Sequence, residues 1–280
     1  MNVTYELLLR EGSKQLKEAG ISEADLDAWY LLAECFGIDR VYYLLHKQEV
    51  IEEKQQNIQE YWNKIEKRAE RIPLQYIIGT QEFMGFPFLV NEYVLIPRQD
   101  TETLVEIILA EQKRREVSIL DMCTGSGCIA ISLALLGKYR NVEGTDISPE
   151  AIKIAKENNR ILDAGVLFYT GDLFENAGES YDVVVSNPPY IRKEVIETLE
   201  PEVKDHEPYQ ALYGPDDGLY FYRVIAKEAY KRLSIDGSLY FEIGYDQAED
   251  VCEIMKLEQF RSIQVKKDLA GKNRVVTGKK

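Results

Sequence analysis

The chain has 280 residues, of which 45% are hydrophobic, and a formal net charge of −14. This length accommodates one full-sized α/β domain with a smaller companion. Because an acidic protein repels phosphate backbones, duplex DNA is disfavoured as the main substrate. The sequence lacks both a membrane-length apolar run and an apolar leader after Met1, so it predicts a cytoplasmic protein with no membrane association.

The four cysteines are dispersed and form no Cys-x-x-Cys pair, and the chain has only two histidines. This composition argues against a zinc site and predicts reduced, mostly buried thiols. No metal is therefore expected.

The N-terminal region has helical patterning. Ser22 with Asp25 resembles a capping box, and Gly37 suits a left-handed helix end. Apolar residues then recur three and four apart from Ile58 to Ile72, where Pro73 ends the pattern. Residues 1–75 are predicted to form a small helical domain.

Residues 76–98 change to short β-rich pieces. Phe83 and the run Phe88-Leu89-Val90 flank Met84-Gly85-Phe86-Pro87, which suits a turn. The pattern predicts a β-hairpin linker. Its aromatic residues, between Glu82 and Arg98, could form a wall beside the substrate or belong to an interdomain core.

Residues 99–280 alternate strand-like and helical segments, which predicts a mainly parallel sheet covered by helices on both faces. Two final strands around Gly271 are too close for a crossover helix and should form an antiparallel edge. The predicted strand cores are Ser118–Leu120, Val142–Gly144, Val166–Phe168, Val183–Val185, Ser238–Phe241, Arg261–Val265 and Arg274–Thr277.

A glycine-containing loop follows the first strand of this sheet and leads into a helix. Open α/β sheets bind ligands at this position, and glycines let the backbone approach them closely. The loop lacks the full Gly-x-Gly-x-x-Gly pattern, and on its own it could simply connect strand to helix. The predicted cofactor contacts here are Cys123, Thr124, Gly125, Ser126 and Gly127.

Two acidic positions follow the next strands. Asp146 could bind both hydroxyls of a ribose, or could instead serve the N-terminus of the helix after Ser148. Asp172-Leu173 could flank an adenine ring or form a plain turn. Both NAD and S-adenosylmethionine fit these signals.

The segment after the fourth strand favours S-adenosylmethionine over NAD, because the strand runs into Asn187-Pro188-Pro189-Tyr190. An amide or aromatic amine nitrogen has a delocalised lone pair, so it must be held to attack a sulfonium methyl. The Asn187 side-chain oxygen and the Pro188 carbonyl can each accept one N–H, and Tyr190 can stack on the planar group. The alternative is that Asn187 caps a turn stiffened by proline.

These motifs resemble class I methyltransferases of the amino-nitrogen branch, and further segments resemble the release factor glutamine methyltransferase family within it. Those segments include Pro73–Ile77, Leu95–Arg98 with Thr101-Glu102, Asp217–Leu219, Glu242–Gly244 with Gln247, and Asp268–Gly271 with Arg274. The resemblance implies a Rossmann-like domain over residues 99–280, with a seven-stranded sheet, and substrate recognition by residues 1–75.

By the same resemblance, the enzyme transfers a methyl group from S-adenosyl-L-methionine, which becomes S-adenosyl-L-homocysteine. The acceptor is the glutamine N(5) in the Gly-Gly-Gln motif of class I peptide chain release factors. Thr124, Gly125 and Gly127 would border the methionine end of the cofactor, and Leu173 would pack near its adenine. Cys123 replaces a glycine common in relatives, and Leu173 replaces an aromatic ring found in some. The protein is expected to be a monomer.

Two other functions are compatible with parts of this sequence. A methyltransferase for adenine or guanine amines of DNA or ribosomal RNA would use the same Asn187 chemistry, but the charge of −14 opposes it. A non-catalytic scaffold would have no use for Asn187.

Overall fold

The computed structural model describes residues 3–51 and 55–280, which form two compact units. One unit extends to Gly79 and includes Pro201–His206, and the other comprises Thr80–Glu200 and Glu207–Lys280. The helices are α1 Tyr5–Glu18, α2 Ala24–Phe36, α3 Arg40–His46, α4 Gln55–Ala69, α5 Leu74–Ile78, α6 Gln99–Glu111, α7 Cys128–Gly137, α8 Pro149–Leu162, α9 Lys193–Ile196, α10 Pro201–Lys204, α11 Tyr209–Leu212, α12 Tyr220–Arg232 and α13 Ala248–Leu257.

The strands are β1 Thr80–Phe83, β2 Phe86–Leu89, β3 Ser118–Met122, β4 Asn141–Asp146, β5 Leu167–Thr170, β6 Tyr181–Ser186, β7 Leu233–Glu242, β8 Arg261–Lys267 and β9 Asn273–Lys279. Within the described residues, no helix is long and apolar enough to cross a bilayer.

The first unit is helical, and its core lies between helices α1, α2 and α4. Leu16, Leu32 and Ile65 are fully buried there. Gly37 ends helix α2 with φ 63°, as the sequence predicts. The predicted capping box at Ser22 is wrong: α2 begins after Glu23 with no side-chain cap. Asp25 instead accepts a hydrogen bond from Ser13 and pairs with Lys17.

The predicted helix through Ile72 is one turn too long. Helix α4 ends at Ala69, because Arg71 takes a left-handed conformation with φ 70° that stops the helical hydrogen bonding. A pattern of apolar spacing does not detect this change, since Ile72 keeps the helical interval after the backbone has left the helix.

Strands β1 and β2 form the predicted hairpin, but its turn is shorter than the sequence indicates. Only Met84 and Gly85 separate the strands, with φ of 52° and 79°, as a two-residue hairpin turn requires. Phe86 and Pro87 already belong to β2, so the four-residue turn prediction is wrong. Phe83 and Phe88 are buried in the core of the second unit.

The second unit contains a seven-stranded sheet in the order β5-β4-β3-β6-β7-β9-β8. Neighbours from β5 to β7 pair in parallel, and β9 pairs antiparallel with both β7 and β8. Hydrophobic clusters on the sheet, one including Ile131 and another including Ile225, form its core. The chain leaves β3 to one side for β4 and β5 and returns on the other for β6, so a crevice opens at their carboxyl ends.

Candidate active site

A cavity of about 370 Å³ opens at the carboxyl ends of β3, β4 and β6, within the second unit. This volume lies in the usual range for a small-molecule site. Its wall is mostly apolar with a few polar groups, and it includes parts of the segments 93–101, 122–129, 145–151, 171–173 and 208–211 together with Asn187, Pro189 and Phe221.

The loop between β3 and α7 forms one wall and has an unusual backbone. Cys123, Gly125 and Gly127 have φ of 61°, 54° and 80°. A Cβ at Gly125 would meet no atom within 4 Å, so the backbone there faces open space. A Cβ at Gly127 would lie 2.9 Å from the Phe168 ring, which requires glycine for packing. Cys123 adopts the left-handed conformation without that freedom.

Asp146 lies opposite this loop at the end of β4. Its Oδ2 accepts the Gly125 N–H at 2.9 Å, and its Oδ1 accepts the Ser148 N–H at 3.0 Å. Burial raises the pKa of Asp146, although both N–H donors favour its ionised form. The contact with Ser148, which is the N-cap of α8, agrees with the helix-terminal alternative for Asp146. The contact with Gly125 ties the carboxylate to the glycine loop. Asp146 therefore serves the helix start while also lining the cavity.

Asp121 supports the loop from beneath and is fully buried. Its Oδ2 accepts the Thr124 hydroxyl at 2.6 Å and the Ala130 N–H at 3.2 Å, while Oδ1 has no hydrogen-bond partner in residues 3–51 and 55–280. Burial raises the pKa of Asp121 to about 7. The contacts fix Thr124, a cavity residue, to the end of β3.

The segment Asn187–Tyr190 leaves β6 and is held from behind. Gln247 donates from Nε2 to the Tyr190 carbonyl at 3.2 Å. Gly214 and Gly218 pack so closely that a Cβ on either would lie 2.7 Å from the Tyr190 Cα or 2.6 Å from its carbonyl oxygen. These contacts fix the backbone of the tetrapeptide beside the cavity.

Most of the predicted site residues border the cavity: Cys123, Thr124, Gly125, Ser126, Asp146, Leu173, Asn187 and Pro189. Gly127, Pro188 and Tyr190 do not contribute to its lining in the described chain. Pro188 is buried, and the Tyr190 ring packs into the core beneath the site, where burial raises the pKa of its hydroxyl. The roles proposed for Pro188 and Tyr190 remain predictions.

Several further residues shape the cavity wall, and no local sequence pattern indicates them. Glu207 is 5% exposed and directly precedes the wall segment 208–211. It connects that segment to the wall segment 93–101, because it accepts the Ile96 N–H at 3.3 Å and pairs with Arg98. Thr101 and Gln210 also line the cavity. Arg98 and Thr101 lie in segments that carry the family resemblance, which was the available signal. Tyr93 to Pro97 also contribute wall residues, whereas Phe83 and Phe88 do not border the cavity.

The strand order, the glycine loop and the tetrapeptide after β6 define a Rossmann-like methyltransferase. A solved methyltransferase from Pyrococcus furiosus has the same fold, with a TM-score of 0.55 at 17% identity over 76% of this chain and 98% of that one. Family models described as "PrmC N-terminal domain" and "Methyltransferase small domain" match residues 8–79 and 99–200.

Curated relatives narrow this class. The chain is 40% identical over 279 residues to the release factor glutamine methyltransferase of Clostridium botulinum, which covers 98% of each chain. It is 43% identical over 238 residues to the same enzyme of Bacillus cereus, covering 82% of this chain and 83% of the relative. The chain belongs to the release factor glutamine methyltransferase family.

Proposed function

We propose that this protein transfers the methyl group of S-adenosyl-L-methionine to glutamine N(5) in the Gly-Gly-Gln motif of class I peptide chain release factors. The observation that carries the proposal is the placement of Asn187 and Asp146 on the wall of one cavity, at the carboxyl ends of β6 and β4, which flank β3 in a methyltransferase fold. Relatives named for glutamine methylation support the acceptor. Residues 1–75 would recognise the release factor, and the enzyme would act as a cytoplasmic monomer.

The chemistry of the cavity fits the cofactor. An ionised carboxylate has about four lone-pair sites, so Asp146 can accept ribose hydroxyls in addition to its two backbone donors. Gly125 leaves space for the methionine end, and Leu173 and the half-exposed Ile147 offer apolar surface for adenine. The site would therefore bind a nucleoside with a charged amino-acid tail.

When bound, S-adenosylmethionine supplies a sulfonium methyl group to a nitrogen nucleophile. Asn187 holds that nitrogen, because its side-chain oxygen can accept one amide N–H while the Pro188 carbonyl accepts the other. As positive charge develops on the nitrogen, both oxygens bind its hydrogens more strongly and so lower the barrier. No side chain has to remove a proton before the methyl group moves.

The apolar part of the wall favours the same step. Leu173, Pro189 and Phe221 line the cavity and limit the water that can enter. Exclusion of water favours transfer, since the sulfonium charge becomes dispersed as the reaction proceeds. These residues would also keep water from competing with the acceptor amide for the Asn187 oxygen.

The test is mass spectrometry of an unmethylated release factor after incubation with the protein and S-adenosylmethionine. We expect one added methyl group, located on the Gly-Gly-Gln glutamine.

Asn187→Ala should lower kcat by roughly 100-fold or more while keeping cofactor affinity, because the side chain binds the acceptor. Asp146→Ala should mainly weaken cofactor binding in calorimetry. Methylation of ribosomal RNA or DNA in preference to the release factor would refute the proposal.

A further inference from the structure

A buried carboxyl group lies behind the acceptor side of the cavity. Glu242 ends strand β7 and is 2% exposed. Its carboxyl group accepts a hydrogen bond from the side chain of Thr101, and its Oε2 has no hydrogen-bond partner among the described residues. Leaving a buried carboxyl oxygen without a partner is unfavourable, so retention of a glutamate here requires an explanation beyond packing.

The nearby cation does not provide that explanation. Arg274 influences the charge of Glu242, but its guanidinium donates to Asp268 at 3.1 and 3.2 Å and pairs with Asp100 at 2.8 Å. Its further contact is with the Ile243 carbonyl. The hydrogen bond that Glu242 does receive comes from Thr101, whose hydroxyl oxygen also contacts Asn187.

Thr101 connects this carboxyl group to the predicted catalytic residue. It lies in the first turn of α6, is 2% exposed, and borders the cavity. Its Oγ1 is 3.5 Å from Nδ2 of Asn187, which donates to it. This is a long hydrogen bond, of the kind that tightens when a ligand completes a site.

The direction of each hydrogen bond follows from the chemistry of the three groups. Above its pKa of about 7 the Glu242 carboxylate is ionised and can only accept, so at pH 8 the Thr101 hydroxyl must donate its single hydrogen to it. The hydroxyl then has only lone pairs left for Asn187, and these attract the NH₂ end of the side-chain amide. The Asn187 oxygen is thereby directed away from Thr101.

We propose that Thr101 and Glu242 are positioning residues that fix the side-chain amide of Asn187 with its oxygen toward the acceptor nitrogen. The inference rests on the proposed function, since it assumes that Asn187 accepts an N–H of the substrate. A flipped amide would present NH₂ to the substrate amide, placing donor against donor. Glu242 does not line the cavity among the described residues, so it acts through Thr101.

The kinetic test compares Thr101→Val, Thr101→Ser and Glu242→Gln, with Thr277→Val as a matched control. Valine keeps the shape of threonine but removes the hydroxyl, and serine restores the hydroxyl. Loss of orientation should lower kcat by on the order of 30- to 100-fold in Thr101→Val and Glu242→Gln. The dissociation constant for S-adenosylhomocysteine should stay within about 2-fold, and Thr101→Ser should recover to within about 5-fold of the wild type.

Thr277 is a buried threonine on β9 and lies outside the cavity lining in the described chain, so its replacement by valine should leave kcat unchanged. Equal kcat in Thr101→Val and wild type would overturn the proposal. So would an equal loss in Thr101→Ser and Thr101→Val, because that result would show that shape alone matters.

A second measurement keeps the inference separate from the identity of the substrate. In protein labelled with ¹⁵N-asparagine, the side-chain NH₂ resonances of Asn187 are assigned by their loss in Asn187→Ala. Their exchange with solvent should be slow in wild type and Thr101→Ser and faster in Thr101→Val. Unchanged exchange in Thr101→Val would contradict the positioning role. If release-factor methylation fails while this pattern holds, only the proposed function is refuted.

Discussion

Glu242 and Asp121 are the two residues of the site whose burial most opposes their charge. Burial raises the pKa of each carboxyl group to about 7, from ordinary values of 4.5 and 3.8. Each has one oxygen with no hydrogen-bond partner among the described residues. Asp121 holds Thr124 in the glycine loop between β3 and α7, and we propose that Glu242 orients Asn187. Burial of an incompletely paired carboxyl group costs stability, as polar groups in functional sites often do.

Their titration gives a prediction for stability against pH. Between about pH 4.5 and 7 the folded protein holds a proton on Glu242 that the unfolded chain has released, so the free energy of unfolding falls as pH rises. Glu242→Gln removes this contribution and should be more stable than wild type at pH 8 by roughly 2–3 kcal/mol. The difference should shrink toward pH 5.

Urea unfolding followed by circular dichroism at pH 5 and pH 8 measures this difference. The groups that face Glu242 and must be ionised alike in both proteins are Arg98, Asp100 and Arg274. A glutamine variant that is equally destabilised at both pH values would show that the carboxylate is satisfied in the fold. Retained stability with lost turnover would separate positioning from folding.

At the residue scale, sequence patterns indicate the side chains that follow directly from a strand. Asp146 ends β4 and Asn187 directly follows β6, and their position alone indicates a shared site. Thr101 and Glu242 belong to motifs that carry the family resemblance, but no local pattern shows their contact. They meet because α6 packs on β7, and this depends on the tertiary fold.

At the element scale, the segment after β6 depends on glycines far away in sequence. Gly214 has no positive φ, so alanine is compatible with its backbone conformation. However, its Cβ would lie 2.7 Å from the Tyr190 Cα, a backbone atom that cannot rotate away. An alanine here must therefore displace the segment Asn187–Tyr190.

We predict that Gly214→Ala lowers kcat at least roughly 10-fold through this displacement, because a shift of about 1 Å can cost 100-fold in rate. Cofactor affinity should be retained, since Asp146 and the glycine loop are not involved. Gly165→Ala is a control for glycine replacement outside the site, although its φ of 73° adds some strain of its own. Steady-state kinetics with calorimetry would decide, and wild-type kcat in Gly214→Ala would contradict the close packing.

Strand positions were predictable because buried parallel strands need apolar, β-branched residues, as in Val183–Val185. The ends of strands and helices are harder to predict from the sequence. The hairpin turn was misplaced because Phe86 and Pro87 resemble turn residues, yet Pro87 fits the two-stranded pair opposite Glu82. The capping-box prediction at Ser22 is wrong because Asp25 instead accepts a hydrogen bond from Ser13 and pairs with Lys17, both of which lie in α1.

At the scale of the whole molecule, the helical unit is not continuous in sequence. Pro201–His206 belongs to it, and Glu202 explains why. Its carboxylate accepts from Arg68 at 2.8 Å and from Arg71 at 2.6 Å, while Arg68 also donates to Asp27 at 2.7 Å. No local pattern in residues 1–75 could indicate a partner more than a hundred residues away.

We predict that Glu202→Gln destabilises the helical unit by roughly 1–3 kcal/mol at pH 7, because it leaves Arg68, only 7% exposed, with a weaker set of acceptors. Although burial opposes ionisation, hydrogen bonds from Arg68 and Arg71 lower the pKa of Glu202 below its ordinary 4.5. The stabilisation is therefore complete above about pH 4.5 and is lost as pH falls through the lowered pKa.

Tryptophan fluorescence can follow this unit alone, since Trp29 and Trp62 are the two tryptophans of the chain and both lie within it. Urea unfolding would be measured at pH 7 and pH 4, with Glu66→Gln as the control, because Glu66 is an exposed carboxylate on α4, the helix that carries Arg68. The Glu202→Gln midpoint should fall at pH 7 and approach that of wild type as pH decreases. Equal midpoints at pH 7 would mean that the ion pairs contribute nothing to holding Pro201–His206, and that the segment is retained by packing.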